Sequence, residues 1–377
     1  MHIIRKTGDY EKIGSLNHFI PSPLPPSNPP LQLTSTIIDL YGKAMHQLGR
    51  LNEMAQRIPD SNRFLKAYVT KEALLSSEIE GIHTTLIDVF SVEQNLEKPN
   101  KDTQLVLNYS NALYHSLELI QELPISSRVL RQAHDILLSG GEGDKMSPGE
   151  FRKQSVRVGN LVPPPAPAVP QLMGDLEQFI NTDTSIPPLI KAGLAHVQFE
   201  TIHPFLDGNG RIGRLLIILM LINDNIISKP LLYPSYFFKK HHAEYYKRLD
   251  EVRVSGNFEE WILYYLQAIA ESAHDAWLRA TDIEALETAI EKQIISHNFI
   301  AKTREDALNF LKLLFQNPII GVNGAAAVLN RSYNTANKLI HTFIDLKILQ
   351  PSSRTKRDKI YIFDPYLKLL NKNYRSK

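Results

Sequence analysis

The chain has 377 residues, long for one hydrophobic core, and its 43% apolar and 22% charged composition is that of a globular protein. It contains no cysteine, which excludes disulfide frameworks, thiolate zinc sites and a cysteine nucleophile. The formal net charge of +2 hides an asymmetry: residues 351–377 carry eight Lys/Arg against two Asp, so the C-terminal end is basic and the rest mildly acidic.

No stretch approaches ~20 uninterrupted apolar residues, so no membrane-spanning helix is expected. The opening MHIIRKTGDYEKIG lacks the apolar core of a signal peptide, and a cytoplasmic protein is the expectation. Six prolines in PSPLPPSNPP, residues 21–30, force an extended segment, either an ordered arm or a loose leader. Ile37, Leu40, Met45 and Leu48 predict a helix over 31–54. A second helix is predicted over 64–82, with Gly81 as its end. It places Ser76 and Glu80 one turn apart on one face. A carboxylate near a helix C-terminus is unfavourable without a cation partner, so Glu80 asks for one.

Helices are predicted next over 101–120 and 127–138. Residues 152–170 read as a short extended pair around Gly159 and Asn160 and then a proline-rich turn. Helices follow over 171–180 and 187–201, then from about Arg211 to Leu221, and over 235–250, 258–279 and 282–295. The helix after Arg211 has almost no polar face, so it is expected at the buried centre of a bundle. Beyond 296 the pattern changes. A helix over 303–317, two short helices broken at Asn330, Arg331 and Ser332, a basic turn and the alternating strand IYIF spell a winged helix-turn-helix. Ser332 is the expected cap of the second short helix.

The densest chemistry lies in residues 203–214, HPFLDGNGRIGR. Asn209 stands between Gly208 and Gly210, and glycines let several backbone N–H groups converge on one concavity. The helix that follows adds its own unpaired N–H groups and partial positive charge, which suits phosphate. Arg211 and Arg214, three apart, stay near its first turn as planar clamps for phosphate oxygens. Asp207 beside phosphates calls for a hard cation, and oxygen ligands favour magnesium. His203 can take a proton from an attacking hydroxyl at neutral pH. A histidine before proline or a Gly-Asn-Gly turn is ordinarily structural. The crowding of all these groups at one helix start is not.

This run resembles the signature of the Fic family, His-Pro-Phe-x-(Asp or Glu)-Gly-Asn-Gly-Arg-x-x-Arg, at every fixed place, and the resemblance covers about residues 30–280. It implies a mainly α fold: a Fic helical bundle with a short β-hairpin flap, here within 152–165 after PGEFR at 148–152, plus the C-terminal winged helix-turn-helix. In the family the flap registers a target peptide by strand addition. The activity implied is transfer of AMP from ATP to a Ser, Thr or Tyr hydroxyl of a protein. By the resemblance His203 is the base and Asp207 holds magnesium. Gly208, Asn209 and Gly210 hold the α- and β-phosphates, Arg211 and Arg214 neutralise them, and Phe205 anchors the loop.

Residues 76–81, SSEIEG, resemble the family's inhibitory motif, (Ser or Thr)-x-x-x-Glu-(Gly or Asn), through Ser76, Glu80 and Gly81. The resemblance implies that Glu80 pairs with Arg214 and hinders the ATP γ-phosphate. In some members the same glutamate positions water to remove AMP, so a deAMPylating or bifunctional enzyme stays open. The expected division is 1–100 for the arm and inhibitory helix, 101–285 for the catalytic core and 296–377 for the winged helix. On the latter, Asn334, Asn337, Lys338 and His341, with Arg354, Lys356, Arg357 and Lys359 of the turn, are candidate contacts to DNA or a protein partner. A DNA-binding regulator using the Fic-like body as a nucleotide sensor is the rival reading. Exposed helical surfaces leave room for a homodimer.

Overall fold

The computed structural model of the chain describes residues 5–57, 62–352 and 360–373. An antiparallel hairpin comes first, β1 (Gly8–Ile13) and β2 (Leu16–Pro21), in register from Gly8 opposite Pro21 to Ile13 opposite Leu16. Gly14, at φ +61°, makes its turn. The proline segment behind it is an ordered arm. Buried Arg5 donates to the carbonyls of Pro29 (2.5 Å), Pro30 (3.0 Å) and Gly256 (2.6 Å) and pairs with Glu259 at 2.9 Å.

The helical body runs α1 (Ser35–Arg57), α2 (Asn62–Ile79), α3 (Leu86–Glu93), α4 (Lys101–Leu119), α5 (Ser127–Leu138), α6 (Val169–Asn181), α7 (Pro188–Ile202), α8 (Asn209–Asn223), α9 (Ser235–Lys240), α10 (His242–Ser255) and α11 (Phe258–Ser296). From Arg211 to Leu221 every residue of α8 is buried, as its unbroken apolar run predicted. It packs on α7, α2, α4 and α5, which places its N-terminus inside the bundle. The predicted pair of helices at 258–279 and 282–295 is one helix, because no Gly or Pro interrupts it. The predicted 235–250 helix divides at His241, whose ψ of 42° leaves the helical region. Short α3 was not expected. It is held by a capping box in which Thr85 accepts from Asp88 N and Asp88 answers Thr85 N.

The extended pair around Gly159 and Asn160 is a two-residue turn closed by reciprocal Val158–Leu161 bonds of 2.9 Å. The ladder goes no further, since Pro163, Pro164 and Pro165 have no N–H to offer. Strand β2 lies alongside, Phe19 N donating to Val162 O at 2.9 Å.

After α11 the chain forms α12 (Ala301–Gln316), β3 (Ile319–Gly321), α13 (Val322–Leu329), α14 (Tyr333–Asp345), β4 (Gln350–Pro351), β5 (Ile360–Ile362) and α15 (Asp364–Asn371). The three strands are antiparallel in the order β3-β5-β4, and with their helices make a winged-helix-like arrangement. Asn330, at φ +51°, breaks α13 from α14, and Ser332 caps α14 by accepting from Thr335 N at 3.3 Å. Arg354, Lys356, Arg357 and Lys359 of the expected basic turn lie outside the described residues. Among the described residues no helix is long and apolar enough to cross a membrane.

Candidate active site at the start of helix α8

Helix α7 ends at His203, whose φ of +50° turns the chain sharply, and α8 begins after Gly208 at φ +77°. Between them the loop is stapled from inside. The Asn209 side chain accepts from Phe205 N at 2.8 Å and donates to Phe205 O at 2.9 Å. Its amide is therefore engaged with the loop, which leaves its backbone N–H at the helix start. Phe205 is fully buried and stacks on His134 with ring centroids 3.8 Å apart.

His134 is a site residue that sequence reasoning missed. Gly149 N donates to its Nδ1 at 3.0 Å, so Nδ1 is the acceptor and Nε2–H donates to Asp207 O, also at 3.0 Å. Burial pushes its pKa down to about 4, in keeping with this neutral tautomer. Arg152 was missed in the same way. Its guanidinium donates to the carbonyls of His203 (2.8 Å), Ile202 (3.3 Å), Pro164 (2.6 Å) and Gln154 (3.2 Å). One buried arginine thus joins the 203–208 loop to the turn segment at 152–165. Neither residue lies in the motif; the only local signal was PGEFR, which ends on Arg152.

The polar groups aimed at the helix start are under-satisfied. Arg211 is 2% exposed, and its Nε and Nη1 have no partner; Nη2 stands 3.5 Å from Asp207 Oδ2. Arg214 is fully buried with Nη1 unpartnered. A buried unpaired donor costs ~1–3 kcal/mol, more when charged, so an anion placed here would be stabilised. His203 Nδ1 is also buried without a partner. Burial, then Arg253 and Arg152, push the His203 pKa down to about 4, so the ring is neutral and able to accept a proton at pH 7. Asp207 Oδ1 accepts from Gly208 N at 2.7 Å, and half its side chain faces solvent.

The other side of Arg214 is occupied. Nε donates to Ser76 Oγ at 2.8 Å, and Nη2 to Ser76 O at 2.8 Å and Glu80 Oε1 at 2.7 Å. Glu80 lies just past the end of α2, and Gly81, at φ +77°, lets the chain turn away. Burial opposes the charge on Arg214, but Glu80, Tyr245 and Glu200 outweigh it and hold the guanidinium firmly protonated. A Cβ on Gly210 would sit 2.3 Å from Glu80 Oε1, so glycine there admits the carboxylate. On α7, His196 links to Gly213 O and Tyr245 OH at 2.8 Å each, while Glu200, raised to about 7 by burial, lies under Gly213 with Oε1 unpaired.

The structure thus brings together His203, Asp207, Gly208, Asn209, Gly210, Arg211, Arg214, Ser76 and Glu80. Lys338 is exposed on α14, in the C-terminal module. Among the described residues no three His, Asp or Glu side chains converge as a ready metal cluster. Asp207 offers a partly free carboxylate, which suits a magnesium ion that takes its other ligands from phosphates and water.

Residues 38–118 match the Fic/DOC family N-terminal model, and residues 124–221 match the Fic/DOC family model. The protein adenylyltransferase Fic of Drosophila willistoni is 31% identical over 197 residues, which cover 52% of this chain and 36% of that protein. For the Drosophila grimshawi protein of the same name the figures are 31%, 52% and 37%. The chain therefore spans little more than a third of these relatives' length. A Fic family protein from Desulfovibrio desulfuricans G20 superimposes with a TM-score of 0.57 at 22% identity, covering 89% of this chain and 98% of that one. A Fic domain containing signaling protein from Bacteroides thetaiotaomicron VPI-5482 gives 0.50 at 19%, with 65% and 95% covered. At these identities the structural likeness speaks for the fold, and the two domain matches for the family of the regions they span: residues 38–118 and 124–221 are Fic/DOC family domains.

Proposed function

We propose that the chain is a protein adenylyltransferase held in a repressed state by Glu80. The observation that carries this reading is the pair of buried arginines at the start of α8, with orphaned N–H groups facing the cradle and Glu80 seated on Arg214. The activity follows the names of the Drosophila relatives. The α8 N-terminus and the Gly208 and Gly210 backbone receive the ATP phosphates, and Arg211 and Arg214 take up their charge. His203 accepts the proton of a target Ser, Thr or Tyr hydroxyl. The oxygen attacks the α-phosphorus in line, an oxygen–phosphorus bond forms, and the bond to the β-phosphate bridge breaks with pyrophosphate leaving. Asp207 would hold magnesium, which would neutralise polyphosphate charge. Bound phosphates also raise the His203 pKa from its low value, making it a stronger base.

Arg214 cannot give the same N–H to Glu80 and to a γ-phosphate, so the carboxylate and the nucleotide compete. Glu80→Gly is expected to raise labelling of the protein itself or of a target by at least roughly tenfold with magnesium and labelled ATP, a gain of about 1.4 kcal/mol. Equal labelling by parent and variant refutes the brake. A second reading rests on the same contact: Glu80 is 31% exposed at the cradle's edge, where a carboxylate can also orient water to remove AMP from a modified hydroxyl. Release of AMP from a pre-modified target by the parent, lost in Glu80→Gly, selects that reading.

A further inference from the structure

The C-terminal module meets the body along α2, the helix that leads Ser76 and Glu80 to Arg214. Phe315 of α12 packs edge-on against Phe64, ring centroids 5.3 Å apart. Asn317 Oδ1 accepts from Lys66 Nζ at 3.0 Å and from Gln94 Nε2 at 2.7 Å. Further along the helix, Lys71 Nζ donates to Leu370 O at 2.7 Å. Leu370 lies in the last turn of α15, where carbonyls have no partner within the helix. Arg279 of α11 takes the same helix end, donating to the carbonyls of Leu369, Leu370 (3.0 Å) and Lys372 (2.9 Å). Tyr233 and Asp275 hold that guanidinium in place at 3.0 and 2.8 Å. Two donors on separate helices, buried Arg279 and half-buried Lys71, therefore cap the carbonyl end of α15.

Lys71 and Ser76 sit five positions apart, roughly 140° around the helix. One side of α2 thus holds the active-site arginine and the other holds the module. Between α2, the start of α3 and the end of α15 runs a groove of about 440 Å³, lined by Lys71, Leu74, Glu78, Thr85, Lys239 and Asn371. The rest of the helix end packs on α4 and α9, with Ser76, Ser77 and Ile79 buried. On the groove side two polar ties hold it, Lys71 to Leu370 and Glu78 to Lys239.

We propose that Lys71 is a positioning residue for the inhibitory contact: by tying α15 to the back of α2 it keeps the helix end, and with it Glu80, seated on Arg214. The C-terminal module is then part of the brake. This inference rests on the reading of Glu80 as a brake. Lys71→Met removes the ammonium and keeps the stem, while Arg279 still donates to Leu370 O, so α15 stays docked and only the tie to α2 is lost.

The test measures labelling by ATP in the full chain for Lys71→Met, Lys71→Arg, Glu80→Gly and the Lys71→Met/Glu80→Gly double variant. Lys71→Met is expected to raise labelling severalfold. Lys71→Arg, which keeps a donor of sufficient reach, stays near the parent. In the Glu80→Gly background Lys71→Met adds nothing, since the brake it acts through is gone. Should Lys71→Met melt below the assay temperature, Lys71→Gln, whose head is too short to reach Leu370, carries the same expectation. Unchanged labelling in the single Lys71 variant beside a gain in Glu80→Gly overturns the tie and leaves the brake standing. A further gain, or a loss, in the double variant also overturns it. No gain in Glu80→Gly brings down both.

Discussion

Helices α8 and α14 both begin with clustered polar side chains, yet the two helix starts behave as opposites. At α8 the groups are buried, and the guanidiniums of Arg211 and Arg214 keep unpaired N–H groups inside the protein. At α14, Ser332, Asn334, Thr335 and Lys338 are exposed, and Ser332 and Thr335 bond each other. An orphaned buried donor is a free-energy loss that something must offset, whereas a hydrated side chain is nearly neutral. The contrast teaches that a site is marked by what its polar groups lose in the absence of ligand, not by their being gathered. By that measure α8 points to an anion, and the described part of α14 names no ligand by itself.

The comparison is broken most directly at His203. In the Glu80→Gly protein, His203→Ala is expected to lower AMP transfer by about 10²–10⁴. ATP binding should persist, because the phosphate cradle is intact. Transfer that survives the substitution would show that the α8 cluster binds nucleotide without His203 acting as its base.

Gly213→Ala probes whether the close seating of α7 on α8 supports the site. The new Cβ would lie 2.4 Å from Glu200 Oε1 and 3.2 Å from the His196 ring, both on buried side chains. Overpacking of this kind destabilises by about 1–3 kcal/mol, to be read from denaturant unfolding. A stability within about 0.5 kcal/mol of the parent would mean that the interface yields without strain.

The reach of sequence reading follows the same physical division. The buried α8 was legible because its side chains are apolar all round, and the motif because its donors are contiguous. His134 and Arg152 were not legible as loop braces, because their partners, Asp207 and His203, lie 73 and 51 residues away. Local periodicity carries no such information. The β1–β2 hairpin escaped because β1 is exposed almost throughout and so lacks the alternation that marks a half-buried strand. Asn209 was found by type, but spacing alone could not say that its amide turns inward to Phe205. The C-terminal helix-break-helix was legible from Asn330 and Ser332, residues whose local preferences suit a left-handed stop and a cap.

His134 offers a pH test of the loop brace. His134→Phe keeps the stack on Phe205 and loses the bonds to Asp207 O and Gly149 N, and is expected to lower stability by about 1–3 kcal/mol near pH 7.5. The folded pKa of about 4 lies below the usual 6.5, so the unfolded chain binds the proton more readily. That stabilisation is present above about pH 6.5 and is lost as pH falls through about 4. The stability gap between parent and variant should therefore narrow from about pH 7.5 to about pH 5. A constant gap would mean that His134 titrates alike in both states.

The smallest effect is expected on α14, and it sharpens the contrast from the other side. Lys338→Ala removes an exposed charge and should change stability by less than about 0.5 kcal/mol. If the module binds duplex DNA, a mobility-shift titration of the full chain will show affinity falling with salt, and Lys338→Ala will weaken it while reducing the logarithmic salt slope by about 1. Binding that is absent, or that ignores both salt and Lys338, assigns this face of α14 to another role. In every one of these outcomes AMP transfer by the Glu80→Gly protein should be unaffected by Lys338→Ala. A change would show that the exposed start of α14 is energetically connected to the buried start of α8.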